Sequence, residues 1–261
     1  MDPGGVELRR VKLQYGSFPA IDGISFEVPA GQFVAVVGPT GCGKSSVLNL
    51  VAGLLTPTDG VVATGGRPVA GVNHDCAYMF QADALLPWKT ALDNVMLGPL
   101  LRGARKSEAA ALARGWLARV GLRGFEDRYP HQLSGGQRKR VAMAQALINR
   151  LPILLMDEPF SALDAQTRAL MEQELLGLWQ ELGATVLFVT HDLEEAIALS
   201  DRVILFTAGP RATLKGDYRV DLPRPRNVVE ARFMPGFAEV YGRVWNDLRE
   251  EVMASYERSR P

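Results

Sequence analysis

An α/β fold on a mainly parallel sheet, with an antiparallel β subdomain ahead of it and a helical subdomain set into it, is predicted by three features of the sequence. Short, almost wholly apolar runs, FVAVVG (33–38), PILLMDEP (152–159) and TVLFVTH (185–191), have the composition of strands buried on both faces of a parallel sheet. The first two are each followed by apolar residues at helical spacing, and strand and helix in alternation imply right-handed crossovers. Between those two runs, residues 91–150 hold no strand-like stretch and several helical ones.

Each element follows in turn. From Val6 to Pro29, in VELRRVKLQYG and ISFEVPAG, branched or aromatic residues alternate with polar ones, as half-buried antiparallel strands require. After the strand FVAVV, a helix is expected over Ser45 to Ala52, with Val47, Leu48, Leu50 and Val51 at helical positions. The insertion carries the helical stretches KSEAAALARGWLARVGL and GQRKRVAMAQALINR. Beyond Asp164, a helix places Met171, Leu175, Leu178 and Leu182 along one side. The tail from about Gly209 holds a strand-and-turn segment, GPRATLKGDYRVDLPRPRN, and then the helical FAEVYGRVWNDLREEVMASYE. The expected organisation is 1–87 for the β subdomain and the first part of the core, 88–150 for the helical subdomain, 151–208 for the second part of the core, and 209–261 for a C-terminal strand and helix extension.

Composition bounds the function. A chain of 261 residues, 47% hydrophobic and 22% charged, has ample core and is not a disordered tail. Its 29 Lys and Arg balance 29 Asp and Glu, which argues against a nucleic-acid partner while leaving room for a local basic patch. No apolar run approaches the roughly 18 residues that span a bilayer, and MDPGGVELRR has no apolar signal core. The expectation is a soluble cytoplasmic chain able to dock on a membrane protein. Cys42 and Cys76 make no disulfide or metal framework and read as reduced thiols. His74 and His131 read as surface residues, and the run Arg138, Lys139, Arg140 as a solvated helix start.

Chemistry enters at GPTGCGKSS. Gly38, Gly43, Lys44 and Ser45 fill G-x-x-x-x-G-K-[ST], with Pro39, Thr40, Gly41 and Cys42 inside the loop and Ser46 just after it, between a strand and a helix as a P-loop requires. Glycines let backbone N–H groups converge on phosphate oxygens, and the helix N-terminus adds partial positive charge. Lys44 is expected to reach the β- and γ-phosphates and Ser45 to ligate Mg²⁺; the bland alternative is a glycine turn that binds nothing. PILLMDEP ends in Asp157 and Glu158 where a buried strand emerges at its carboxyl edge, the place where open α/β sheets bind ligands. Adjacent strand residues point to opposite sides, so Asp157 suits Mg²⁺ and Glu158 suits general base. A solvated acidic strand end is the rival reading. LSGGQRKR (133–140) poses a second anion site: Ser134, Gly135 and Gly136 open a helix whose amides can meet a phosphate.

With GPTGCGKSS, LSGGQRKR and ILLMDEP in this order and spacing, the chain resembles the ATP-binding cassette family over about residues 5–208, and within it the nucleotide-binding subunit of a transporter. The resemblance implies that Ser134, Gly135, Gly136 and Gln137 form the signature motif. It implies that Tyr15 stacks on adenine, that Gln81 in YMFQAD senses Mg²⁺ and the γ-phosphate, that Ser161 to Asp164 cross a dimer interface, and that His191 contacts the γ-phosphate. None of these positions departs from the family's pattern, so an active ATPase using ATP and Mg²⁺ is implied. Leu85, Leu86 and Trp88 stand where similar transporters receive a short helix of the membrane subunit, core packing being the rival for Trp88.

One ATP cannot be gripped by both anion loops of one chain when they lie on separate subdomains. Two cassettes related by a two-fold axis resolve this, each lending LSGGQ to the ATP on the other's P-loop, as a homodimer or a pseudo-dimer. The implied partners are permease subunits, with a periplasmic or extracellular solute-binding protein if the transporter imports, and the implied place is the cytoplasmic face of the cell membrane. LLPWKTALDNV and YRVDLPRPRN resemble importers of nitrate, sulfonates and taurine. The alternative is a soluble single-cassette ATPase, for cofactor assembly or another non-transport role; a P-loop kinase has no reason to carry LSGGQ or SALD.

Overall fold

The computed structural model describes residues 4–258. In chain order its first elements are β1 (Val6–Tyr15), β2 (Phe18–Val28), β3 (Phe33–Val37), α1 (Lys44–Val51), β4 (Asp59–Thr64), β5 (Arg67–Pro68) and β6 (Cys76–Met79). Helices α2 (Ala91–Leu101), α3 (Lys106–Arg119) and α4 (Gly135–Leu147) follow. The remainder is β7 (Ile153–Asp157), α5 (Ala165–Leu182), β8 (Thr185–Val189), α6 (Leu193–Leu199), β9 (Arg202–Phe206), β10 (Leu214–Arg219), α7 (Val228–Ala231) and α8 (Phe237–Arg258).

The alternating N-terminal segment forms the antiparallel pair β1 and β2, which β4 and β5 extend into a sheet of order β2-β1-β4-β5. A second sheet has the order β10-β9-β3-β8-β7-β6, parallel throughout except for β10 at its edge. All five residues of β3 are buried, for a reason its pleat explains. Phe33, Ala35 and Val37 enter the apolar cluster shared with the helices, while Val34 and Val36 enter the cluster shared with β1, β2 and α1. A strand covered on both faces has no place for a polar residue, so the sequence shows an unbroken apolar run.

Two strands of this sheet escape the sequence reading. CAYM (β6) and VILF within β9, which Arg202 opens, are apolar runs of four residues each, and at that length periodicity does not separate strand from helix end. Their parallel pairing on β7 and β3 is a tertiary fact.

The three helices α2, α3 and α4 pack on one another around Val95, Ala113, Leu117, Val141 and Met143, all buried. Thr90 caps α2 by accepting a hydrogen bond from the Asp93 N–H at 3.1 Å. Asn94, fully buried, holds the loop before α2: its amide donates to the carbonyls of Leu86, Lys89 and Thr90, and its Oδ1 accepts from the Leu86 N–H. That loop turns Trp88 outward, 69% exposed, so Trp88 is not a core residue. No helix among the described residues is long and apolar enough to cross a membrane.

Candidate nucleotide site

At the carboxyl edge of β3 the chain enters a loop that only glycine allows at two points. Gly38 has φ 153°, and a Cβ there would meet Cys42 Sγ and the Phe206 carbonyl at 3.0 Å; Gly43, at φ 96°, would press on Ile21. Pro39 and Cys42 are buried within the loop, and Thr40 and Gly41 face solvent. Lys44, the first residue of α1, is buried and folds back over the loop, donating to the carbonyls of Gly38 at 2.8 Å and Pro39 at 3.0 Å. Its ammonium thus lies against the loop's own carbonyls.

Ser45 Oγ donates to Asp157 Oδ1 at 3.1 Å, joining the start of α1 to the end of β7. Burial raises the Asp157 pKa, and the Ser45 hydrogen bond works against that rise. Two hard oxygens side by side, one on a carboxylate whose charge lacks full solvation, fit Mg²⁺, which takes one or two carboxylates and completes its shell with substrate phosphates. The described residues include no group of three or more His, Cys, Asp or Glu that could hold a metal ion.

Glu158 follows Asp157 with φ 46°, an unusual region for a residue with a Cβ that costs about 1–3 kcal/mol. Its N–H is fixed to the Val189 carbonyl at 2.9 Å. Gln81 Nε2 donates to Glu158 Oε2 at 3.1 Å, and His191 Nδ1 lies 3.6 Å from the same oxygen. The three side chains arrive from the ends of β6, β7 and β8.

These residues line one open cleft of about 580 Å³, with Thr40, Gly41, Gly43, Lys44, Ser45 and Ser46 on its floor. Tyr15 stands at the rim, its hydroxyl 3.0 Å from Ser46 Oγ. Phe18, missed by the sequence reading, lines the cleft beside it. The signal was present: in YGSF a two-residue turn pairs Tyr15 with Phe18 across β1 and β2, so both aromatics share one side.

Other expected site residues lie elsewhere. Ser134 is exposed and caps α4, its Oγ accepting from the Gln137 N–H at 3.2 Å while Gln137 Oε1 accepts from the Ser134 N–H at 2.9 Å. Asp164 is exposed and caps α5 through Thr167. None of Ser134, Gly135, Gly136, Gln137 and Asp164 lines the cleft. The chain therefore gathers the glycine loop, Lys44, Ser45 and Glu158 in one cleft and leaves a second helix start, already capped, outside it.

Beneath His191 lie two buried acids, Glu195 on α6 and Glu172 on α5. Burial pushes both pKa values upward, and the charges of Glu172 and Asp192 push Glu195 further. The unfolded chain ionises both above the ordinary value of 4.5, whereas the folded pair keeps a proton towards neutral pH. The stability this contributes is full in acid and is lost as pH rises through neutrality. In thermal melts between about pH 5 and about pH 9, a falling Tm that Glu195→Gln flattens is expected; a slope identical in both proteins would refute the shared proton.

Comparison with known proteins gives a consistent picture. The family model described as ABC transporter matches residues 21–161. The chain is 46% identical over 236 residues to an uncharacterized ABC transporter ATP-binding protein of Methanocaldococcus jannaschii, covering 90% of this chain and 86% of that one. It is 47% identical over 237 residues to the aliphatic sulfonates import ATP-binding protein SsuB of Escherichia coli K12, covering 91% and 89%. A dimeric ATP-binding cassette in a post-hydrolysis state, bound to ADP and Pi, superposes with a TM-score of 0.75 at 33% identity over 84% of this chain and all of that one. The chain belongs to the ABC transporter family, as one of its ATP-binding, ATP-hydrolysing cassettes.

Proposed function

We propose that the chain is the energy-coupling subunit of an importer for a small anion, an aliphatic sulfonate being favoured by the likeness to SsuB. Two cassettes bind two ATP between them, each P-loop facing the other cassette's Ser134–Gln137, and their closure drives the membrane permease. The observation that carries this reading is the convergence of Lys44, Ser45, Gln81, Glu158 and His191 on one cleft that the chain's own signature segment does not reach.

Within that cleft the P-loop amides and the start of α1 hold the phosphates, and Tyr15 offers its face to adenine. Mg²⁺ held by Ser45 and Asp157 would supply charge neutralisation between the β- and γ-phosphates. Glu158 accepts the proton of the attacking water, which Gln81 helps to place, and His191 donates to the γ-phosphate. Asp164 meets the partner at the interface. On the helical side, Trp88 and Leu101 are exposed, and Leu101 lines a groove of about 710 Å³ with Tyr78, Leu97 and Asn149; a short apolar helix of a permease fits such a surface. The cassette thereby works at the cytoplasmic face of the membrane.

Lys44→Ala is expected to abolish ATP binding, because the ammonium that lines the cradle is removed; an unchanged titration with a fluorescent ATP analogue would remove Lys44 from the phosphate site. The transport reading is tested by affinity purification from native membranes. A co-purifying permease and solute-binding protein support it, and recovery of soluble assembly proteins alone overturns it.

A further inference from the structure

The basic run Arg138, Lys139, Arg140 is not the solvated helix start its sequence suggests. Lys139 is 4% exposed. Its ammonium leaves α4 and donates to the carbonyls of Phe80, at 3.4 Å, and of Gln81, and stands 3.5 Å from Asp83 Oδ1. Arg138 Nε donates to the other Asp83 oxygen at 2.9 Å, and its Nη1 donates to the Leu133 carbonyl at 2.8 Å. A buried ammonium is costly unless its donors are met. Here they are met by the segment just after β6 rather than by the helix that carries the lysine. Burial raises the Asp157 pKa, and Lys139 is among the charges that pull it back, so the ammonium is felt at the catalytic edge of the sheet.

Gln81 carries the contact onward, donating from Nε2 to Glu158 Oε2. We propose that Lys139 is a positioning residue for hydrolysis: it ties the Phe80–Asp83 segment to the helix that begins at Ser134 and so sets the approach of Gln81 to Glu158. The inference rests on reading Gln81 and Glu158 as working parts of the ATP site. It adds a link between the two ATP sites of a dimer. One short helix presents Ser134 to the partner's nucleotide and, through Lys139, holds Gln81 at its own. Without the ammonium the carbonyls of Phe80 and Gln81 lose their donor, and the segment is free to shift while the cradle around Lys44 stays intact.

The test is a double-mutant cycle in the full chain with Lys139→Met, Gln81→Ala and both together, reading steady-state kcat and KM for ATP in the presence of Mg²⁺. Lys139→Met is expected to lower kcat about tenfold with KM changed less than about twofold, and Gln81→Ala to lower kcat at least as far. The double variant is expected to be no slower than Gln81→Ala alone, since Lys139 acts through Gln81. Lys139→Gln, which keeps a donor for the carbonyls, recovers part of the loss and carries the same cycle if Lys139→Met does not fold. An unchanged kcat in the folded Lys139 variants, or losses that multiply in the double variant, overturns the positioning role while leaving Gln81 in place. A Gln81→Ala protein that turns over at the parent rate overturns the reading of Gln81 and this inference with it.

Discussion

Glu158→Gln is expected to lower kcat for ATP hydrolysis by about 10²–10⁴-fold, the range that loss of a positioned general base brings, with ATP affinity retained. Glutamine keeps the size and planarity of the side chain, so the contact with Gln81 and the approach of His191 survive. What goes is the capacity to take a proton from water. Lys44 is held on the Gly38 carbonyl and Ser45 on Asp157, and neither contact uses Glu158, which is why binding should stand. Phosphate release and an equilibrium ATP titration read the two halves of the claim. Turnover within about tenfold of the parent would place the base elsewhere, with His191, 3.6 Å from the same carboxylate oxygen, the next group to examine. The backbone at Glu158, at a φ of 46° with its N–H on the Val189 carbonyl, is unchanged by the substitution, since glutamine has the same branching at Cβ.

The parts of this site that the sequence displays are those whose chemistry is local. A P-loop is a run of consecutive residues whose glycines and lysine work through adjacent backbone, and Asp157 and Glu158 are legible because a wholly apolar strand ends in two acids. Lys139 is different. In the sequence it is the middle of three basic residues in the first turns of a helix, which usually means a solvated face, and nothing nearby shows that its ammonium ends beneath Gln81. Glu195 is equally hidden: beside Asp192 and Glu194 it reads as one more acid at a helix start, yet α6 turns it inward against Glu172 while Asp192 caps the helix. Asn94 sits in an apolar helix and its four contacts on the loop before it appear only once that loop is folded. The short strands β6 and β9 belong to the same class, because a run of four apolar residues acquires its identity from the neighbour it pairs with.

Ser134→Arg carries the other large expectation, loss of ATP-dependent dimers with ATP binding to the single chain kept. Ser134 is outside the cleft that Lys44 lines in its own chain, so a guanidinium there is expected to leave ATP binding to that cleft unchanged. It would instead occupy the space in front of the α4 N-terminus, where free N–H groups and the helix dipole favour a phosphate. The substitution also removes the hydroxyl that accepts from the Gln137 N–H, a capping loss of about 0.5–2 kcal/mol that lowers the melting temperature without unfolding the chain. Placed in the Glu158→Gln background, where hydrolysis no longer empties the site, the parent is expected to run as a dimer with ATP on size exclusion and the Ser134→Arg variant as a monomer. The ATP titration of the variant, unchanged, separates a blocked interface from a broken fold. Dimers that persist would mean that the signature segment faces something other than a second cassette. The α4 start would then need a different ligand, because Lys44, Ser45 and Glu158 already share one cleft, with Ser45 bonded to Asp157 at its edge.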